Sequence, residues 1–91
     1  MADWRYRLKC GARLRRAIES GDHEAVIEGI KAAYKELLDN GLIDDYDYED
    51  YTEDLDMYGD TDDYDDLDEA LDYELNDLYD LCDNIRVWIS L

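Results

Sequence analysis

Carboxylates are the most abundant side chains that could carry chemistry, with 27 acidic residues against 9 basic ones in 91 residues. Two dense runs begin at Asp44 and Asp60 and invite comparison with the calcium-binding EF-hand loop, which needs glycine at its sixth position. Glu49 and Asp65 stand there instead. Acid and base pairs for glycoside hydrolysis require a cleft, whereas these runs are expected on exposed helical faces. We therefore expect no metal site, no cofactor and no enzyme activity.

Other reactive residue types are sparse. His23 is the only histidine and has no nucleophile or second histidine at catalytic spacing, so we interpret it as a surface residue. Cys10 and Cys82 lack metal-ligand spacing, and in a reducing compartment we interpret them as small core residues and not as a disulfide. No long apolar run and no secretion signal are recognisable, which predicts a cytoplasmic protein that does not span a membrane.

The charge is divided unevenly along the chain. Residues 1–40 carry 7 acidic and 8 basic residues, whereas residues 41–91 carry 20 acidic residues and one base, Arg86. The net charge of -18 exceeds the magnitude of about 2 to 8 that solubility requires of a small domain. Because self-repulsion of this size destabilises a compact state, the excess indicates a function for the negative charge. The length predicts one domain, composed of a mixed-charge helical hairpin (1–40) and an acidic helical half (41–91).

Apolar spacing predicts two helices in the mixed-charge hairpin. The first covers residues 4–20, and its inward face consists of Trp4, Leu8, Leu14 and Ile18. Its outward face is a basic stripe that consists of Arg5, Lys9, Arg13 and Arg16. Such a stripe could contact nucleic acid, but we interpret it as a solvated face or as an internal counterweight to the acidic half. Asp22 is the expected N-cap of the second helix, and Asn40-Gly41 the expected left-handed cap at its end. The short connection between the two helices favours an antiparallel pair.

Apolar spacing in the acidic half predicts two more helices. Tyrosine and leucine at three-four spacing favour a helix over residues 44–58, although the alternation at 45–48 would also suit a strand. Residues 59–61 are expected to break it, and Thr61 to cap a last helix that runs to at least Asp83. Whether that helix continues through Trp88 is left open, since the tail is apolar enough to dock on the core instead. The fold class is therefore mainly α, a small single-domain bundle of about four helices with one strongly acidic face.

The acids of the last helix gather on the side opposite its apolar stripe. They are Asp62, Asp65, Asp66, Glu69, Asp72, Asp80 and Asp83. From first to last they span about 32 Å at 1.5 Å per residue, close to the roughly 34 Å of one B-DNA turn. Their average spacing of about 4 to 5 Å approaches the roughly 3.4 Å between charges along a DNA strand. Such a helix can imitate a row of phosphates, with Tyr46 and Tyr73 pointing outward to stack on arginine.

Small size, helical patterning and dense Asp, Glu and Tyr in residues 43–83 make the chain similar to the DNA-mimicking inhibitors of bacteriophages, which include anti-CRISPR and anti-restriction proteins. The resemblance is one of type and involves no shared motif. It implies that the protein blocks a DNA-binding defence enzyme in the host cytoplasm, with a CRISPR RNA-guided nuclease as the leading target, often at the arginines that read a short DNA motif. Direct binding to nucleic acid is not expected. The expected contact residues are Asp62, Asp65, Asp66, Glu69 and Asp72, supported by Asp44, Asp45, Asp47, Glu49 and Asp50, with Tyr46 and Tyr73 as anchors.

Two alternatives stay open. An acidic chaperone or antitoxin-like protein would shield a basic protein without displacing DNA, and only a mimic would share its binding site with DNA. A structural adaptor or homodimer would pair the basic stripe of one copy with the acidic face of another, and such an assembly should dissociate as salt screens the charges.

Overall fold

Four helices follow one another between two very short strands in the computed structural model, which describes residues 4–60 and 67–89. The elements are β1 (Tyr6–Arg7), α1 (Gly11–Ser20), α2 (His23–Asp39), α3 (Asp45–Asp60), α4 (Leu67–Asn84) and β2 (Val87–Trp88). The predicted mainly α fold of about four helices is confirmed, and the segment at 44–58 is helix and not strand. The predicted break at residues 59–61 is wrong for its first two residues, because α3 continues to Asp60, and Thr61 lies outside the described residues.

Helix α2 is the central element and pairs antiparallel with α1. Cys10, just before α1, contacts Glu36 near the end of α2, whereas Leu14 lies against Gly29, nearer the start of α2. A Cβ atom at position 29 would lie 2.9 Å from the Leu14 Cδ1 atom, so glycine allows the two helices to approach closely.

Helix α3 runs antiparallel to α2 and packs on a different side of α2 from α1. The rings of Tyr34 and Tyr51 stack with centroids 5.1 Å apart, while Lys31, one turn earlier on α2, forms an ion pair with Asp56, later on α3. Helix α4 also packs against α2. The side chains at the centre of this arrangement are Leu14, Ile30, Tyr34, Leu37, Leu55, Leu78, Cys82 and Val87.

The predicted caps around α2 are confirmed. The Asp22 carboxylate accepts a hydrogen bond from the Glu24 backbone N–H at 3.1 Å and so satisfies a donor in the first turn. Gly21 after α1 and Gly41 after α2 adopt left-handed conformations, with φ of 73° and 70°. A side chain at these positions would be strained, so the glycines end the two helices without that cost.

The predicted first helix over residues 4–20 is wrong at its start, because α1 begins only at Gly11. The preceding segment is extended, and its strand β1 pairs in parallel with β2, which follows α4. The Leu8 backbone N–H donates to the Trp88 carbonyl at 2.7 Å. Leu8 and Leu14 are buried as expected, but Trp4 and Ile18 are exposed. Residues far apart in sequence supply these backbone hydrogen bonds, and helical periodicity carries no signal for them.

The predicted basic stripe is not a single row on one helix. Arg5 and Lys9 lie in the extended segment, and Arg13 and Arg16 lie on α1, so the four do not form one helical row. All four are exposed.

The tail docks on the core instead of extending α4. Helix α4 ends at Asn84, Val87 is buried, and Ile85 and Ile89 pack partly buried against the core. Arg86 makes the turn with a left-handed φ of 60°. The predicted cap at Thr61 lies outside the described residues. No helix in the described part of the chain is long and apolar enough to cross a membrane.

Candidate partner-binding surface

The exposed carboxylates of α3 form the first part of the candidate surface. Asp44, Asp45, Glu49 and Asp50 are exposed, and Asp47 is half-buried. The Asp47 backbone N–H donates to the Asp44 carboxylate at 2.8 Å, which fixes the start of the helix. Desolvation, together with the negative charges of Asp44 and Asp50, raises the pKa of the Asp47 carboxyl. The carboxylates of this turn therefore repel one another, and a cation that binds there would relieve the repulsion.

Helix α4 supplies the second part. Of the five principal contact residues expected from the sequence, Glu69 and Asp72 are exposed on α4, and Asp62, Asp65 and Asp66 lie outside the described residues. Asp80 and Asp83 are exposed further along the same helix. The stretch from Glu69 to Asp83 covers about 21 Å at 1.5 Å per residue.

The two expected tyrosine anchors point outward. Tyr46 on α3 is 78% exposed and Tyr73 on α4 is 64% exposed, so both rings are accessible to a partner. Met57, 65% exposed on α3, adds a third large side chain that the sequence reading did not single out. Each of the two acidic helices therefore presents apolar area among its carboxylates.

Few bases approach these helices. Lys31 forms its ion pair with Asp56, at the edge of α3 that packs on α2. Lys35 lies with its Nζ 5.8 Å from the centre of the Tyr48 ring and 3.5 Å from Asp39 of its own helix. Among the side chains that the structure describes, which exclude those of residues 59–68, the Lys31–Asp56 pair is the one salt bridge from a lysine or arginine to α3 or α4. The other described carboxylates of α3 and α4 therefore have no lysine or arginine counter-charge among the described side chains.

Glu74 on α4 is a feature that the sequence reading missed. The residue is 9% exposed and receives no ion pair from the described residues, and since no buried side-chain oxygen there lacks a partner, its stem is buried while its carboxylate reaches solvent. Burial, followed by the negative charges of Asp54 and Asp77, raises the pKa of its carboxyl. A signal was present, since Glu74 stands three residues after Leu71 and four before Leu78, on the apolar side of α4.

Glu36 on α2 is a second missed carboxylate, with the opposite surroundings. It accepts hydrogen bonds from the Tyr6 hydroxyl at 2.6 Å, the Lys9 backbone N–H at 2.7 Å, and both the Cys10 backbone N–H (3.0 Å) and thiol (2.8 Å). Partial burial works against the charged form, but these donors hold the pKa of the Glu36 carboxyl below its usual value. Burial and the Glu36 carboxylate raise the pKa of the Cys10 thiol to about 11. Glu36 therefore fastens the extended N-terminal segment to α2.

The cysteine prediction is confirmed for Cys82, which is buried. Cys10 is only half-buried and has the hydrogen-bonding role just described, and both cysteines are free. In the described part of the chain no group of three or more His, Cys, Asp or Glu side chains is placed to hold a metal ion.

Comparison with known proteins gives no match: no family model, curated protein or solved structure is detectably similar to this chain.

Proposed function

We propose that this protein is a DNA-mimic inhibitor, which occupies the basic DNA-binding surface of a defence nuclease and so excludes DNA. We propose a CRISPR RNA-guided nuclease as the target. The observation that carries the proposal is the exposure of carboxylates along both α3 and α4, where Lys31 is the one lysine or arginine of the described side chains that pairs with them.

The physical argument begins with the partner. A nuclease neutralises phosphates with lysine and arginine, and the same side chains attract any rigid row of negative groups at similar spacing. Helices hold carboxylates in such rows, whereas a disordered acidic segment would lose conformational entropy on binding. A folded acidic surface thus competes with DNA by occupancy alone, and no catalytic step is required.

The exposed tyrosines support specific contact over general attraction. Exposed charges give fast, salt-sensitive association but little affinity for each pair. Aromatic side chains near them add buried apolar area and stack on arginine. Tyr46 and Tyr73, one on each acidic helix, are suited to this part of the interface.

The test is a DNA-cleavage assay with a panel of purified CRISPR nucleases and restriction enzymes, titrated with the protein. We expect at least one enzyme to be inhibited, with the half-inhibitory concentration rising with the DNA concentration and with salt. Failure to inhibit any DNA-binding enzyme would refute the proposal. Binding that leaves the enzyme attached to its DNA would favour the acidic chaperone instead, and self-association that salt dissociates would favour the adaptor.

A further inference from the structure

The paired strands β1 and β2 have an inner and an outer side. Successive side chains of a strand point to opposite sides, and the ladder pairs Tyr6 with Val87 and Arg7 with Trp88. Val87 is buried and Tyr6 packs half-buried against the core, whereas Arg7 and Trp88 are exposed. The register therefore turns arginine and tryptophan side chains to the outer side, away from the core.

Three further exposed side chains extend this outer side. The Arg5 backbone N–H donates to the Arg86 carbonyl at 2.7 Å, which sets Arg5 beside Arg86, and both side chains are exposed. The rings of Trp4 and Trp88 form a T-shaped pair with centroids 5.2 Å apart, and each residue is 40% exposed. The outer sheet face, as we call it, consists of Trp4, Arg5, Arg7, Arg86 and Trp88. Arg86 is the single base of residues 41–91, and the fold carries it to the bases at the start of the chain.

Positive charge is concentrated at this face. Residues 4–10 and 85–89 together contain four bases and no acid, although the whole chain has 27 acids against 9 bases. Glu36 contacts the first of these segments from the inner side, where four hydrogen bonds hold its carboxylate. Among the described side chains, no salt bridge joins an arginine of the outer sheet face to a carboxylate. The guanidinium groups are therefore available to an anionic partner.

We propose that the outer sheet face binds single-stranded nucleic acid, a further activity that is independent of the proposed function because it does not use α3 or α4. Guanidinium groups bind phosphates with two parallel hydrogen bonds, and aromatic rings set among bases are stacking surfaces for unpaired bases. In a T-shaped pair, one ring presents its edge to the other, so an indole face stays open for a base. The sequence did not predict direct binding to nucleic acid, since the two strands stand far apart in it.

The combination of groups favours a single strand over other anionic partners. A duplex keeps its bases stacked and offers mainly phosphates to this face, and an acidic peptide would occupy the arginines while leaving the indole rings unused. Residues 5–9 extend over about 13 Å at 3.3 Å per residue, which corresponds to about four nucleotides at a rise of about 3.4 Å. Repulsion from the acidic helices is screened beyond about 8 Å at physiological salt. A short strand therefore fits at this end of the protein.

The experiment titrates the full chain with labelled octanucleotides of uridine and of thymidine, with a duplex of eight base pairs and with a capped nona-glutamate peptide. Anisotropy of the label measures binding. Both tryptophans of the chain belong to the outer sheet face, so quenching of tryptophan fluorescence reports stacking there. We expect the single strands to bind more tightly than the duplex and the peptide, and to quench the tryptophan fluorescence.

The test variant replaces Arg5 and Arg7 with glutamine, and the matched control replaces Arg13 and Arg16, which are exposed on α1. Both variants lose two positive charges. We expect the first to weaken binding of the single strands about tenfold and the second no more than about twofold. Trp4→Ala should also weaken binding about tenfold, through the loss of a stacking ring. Circular dichroism should be unchanged in all three.

Equal losses in the two arginine variants would overturn the site, and so would binding that leaves the tryptophan fluorescence unchanged or no binding of either single strand. A duplex or nona-glutamate that binds as tightly as the single strands would overturn the choice of ligand. Tighter binding of the uridine or of the thymidine strand would support the site and assign it to RNA or to DNA. No nuclease is present in these titrations, so their failure would remove this inference and leave the proposed function standing.

Discussion

Glu36 and Glu74 are both glutamates on the inner side of a helix, yet the groups around their carboxylates have opposite effects on the negative charge. Glu36 receives four hydrogen bonds from Tyr6, Lys9 and Cys10, and its carboxyl pKa is lowered. Partial burial, followed by the negative charges of Asp54 and Asp77, raises the carboxyl pKa of Glu74. The mixed-charge half thus uses a carboxylate to hold its own fold together. In the acidic half the Glu74 carboxylate is repelled by its neighbours, and the described residues supply no compensating charge.

The largest expected effect is the loss of the Glu36 carboxylate. Glu36→Ala leaves the donors of Tyr6, Lys9 and Cys10 without their acceptor, and we expect it to lower the free energy of unfolding by about 3 kcal/mol. Glu28→Ala, on an exposed position of the same helix, is the control and should change it by no more than about 0.5 kcal/mol. Urea denaturation followed by circular dichroism measures both. Equal stability of the two variants would show that Glu36 does not fasten the N-terminal segment.

Removal of the Glu74 charge should act in the opposite direction. Glu74→Gln keeps the shape of the side chain while removing a partly desolvated charge that Asp54 and Asp77 repel, so we expect it to stabilise the protein at pH 7 by about 0.5 kcal/mol or less, because the carboxylate still reaches solvent. Glu53→Gln, exposed on α3, should give a clearly smaller gain. If Glu74→Gln destabilised the protein, the carboxylate would have a partner within the chain, and the contrast between the halves would be lost.

The effects of Glu36 and Glu74 on stability should both depend on pH, with opposite signs. The lowered pKa of Glu36 means that its stabilising effect is present above the unfolded value of about 4.3 and is lost as the pH falls through the folded pKa. The raised pKa of Glu74 means that its destabilising effect is present at neutral pH and disappears as the pH falls through the folded pKa towards about 4.3.

Thermal unfolding from pH 7 to pH 3 tests these signs. The melting temperature of Glu36→Gln should lie below that of the wild type at pH 7 and that of Glu74→Gln above it, and both differences should shrink on acidification. A difference for Glu74→Gln that grew below pH 5 would contradict the assignment.

The smallest expected effect concerns Lys31 and Asp56, the ion pair between the two halves. Lys31→Gln should cost about 0.5 kcal/mol or less in unfolding free energy, because an exposed carboxylate such as Asp56 is well hydrated. Addition of 0.5 M NaCl should nevertheless raise the melting temperature of wild type and variant alike, since it screens the repulsion among the carboxylates. A large loss in Lys31→Gln would mean that the acidic half depends on this lysine for its folding.

The sequence predicted the helices because their signals are local. Leu37, Leu55 and Leu78 were placed inward by three-four spacing and are fully buried, and Asp22 and Gly41 were recognised from cap chemistry. The β1–β2 pairing was missed because it joins residues more than eighty positions apart, and two-residue strands have no periodicity to detect.

For the candidate surface, the sequence predicted which side chains are exposed but not the surroundings of individual glutamates. Exposure of Glu69, Asp72, Tyr46 and Tyr73 followed from their positions on helical faces. The environments of Glu36 and Glu74 did not follow, because a donor set or a repulsive neighbour depends on which helices meet. Glu74 came nearest to prediction, as an acid on an apolar stripe.

The central claim is that the acidic half takes the place of DNA. Two variants test it on an inhibited nuclease: one converts Asp62, Asp65, Asp66, Glu69 and Asp72 to their amides, and the other does the same to Glu19, Asp22, Glu24, Glu28 and Asp39. Both lose five negative charges, but only the first alters the proposed contact residues. We predict that the first raises the half-inhibitory concentration for DNA cleavage about tenfold or more and the second about twofold or less, with helical circular dichroism unchanged in both. Equal losses, or full inhibition by the first variant, would contradict the account.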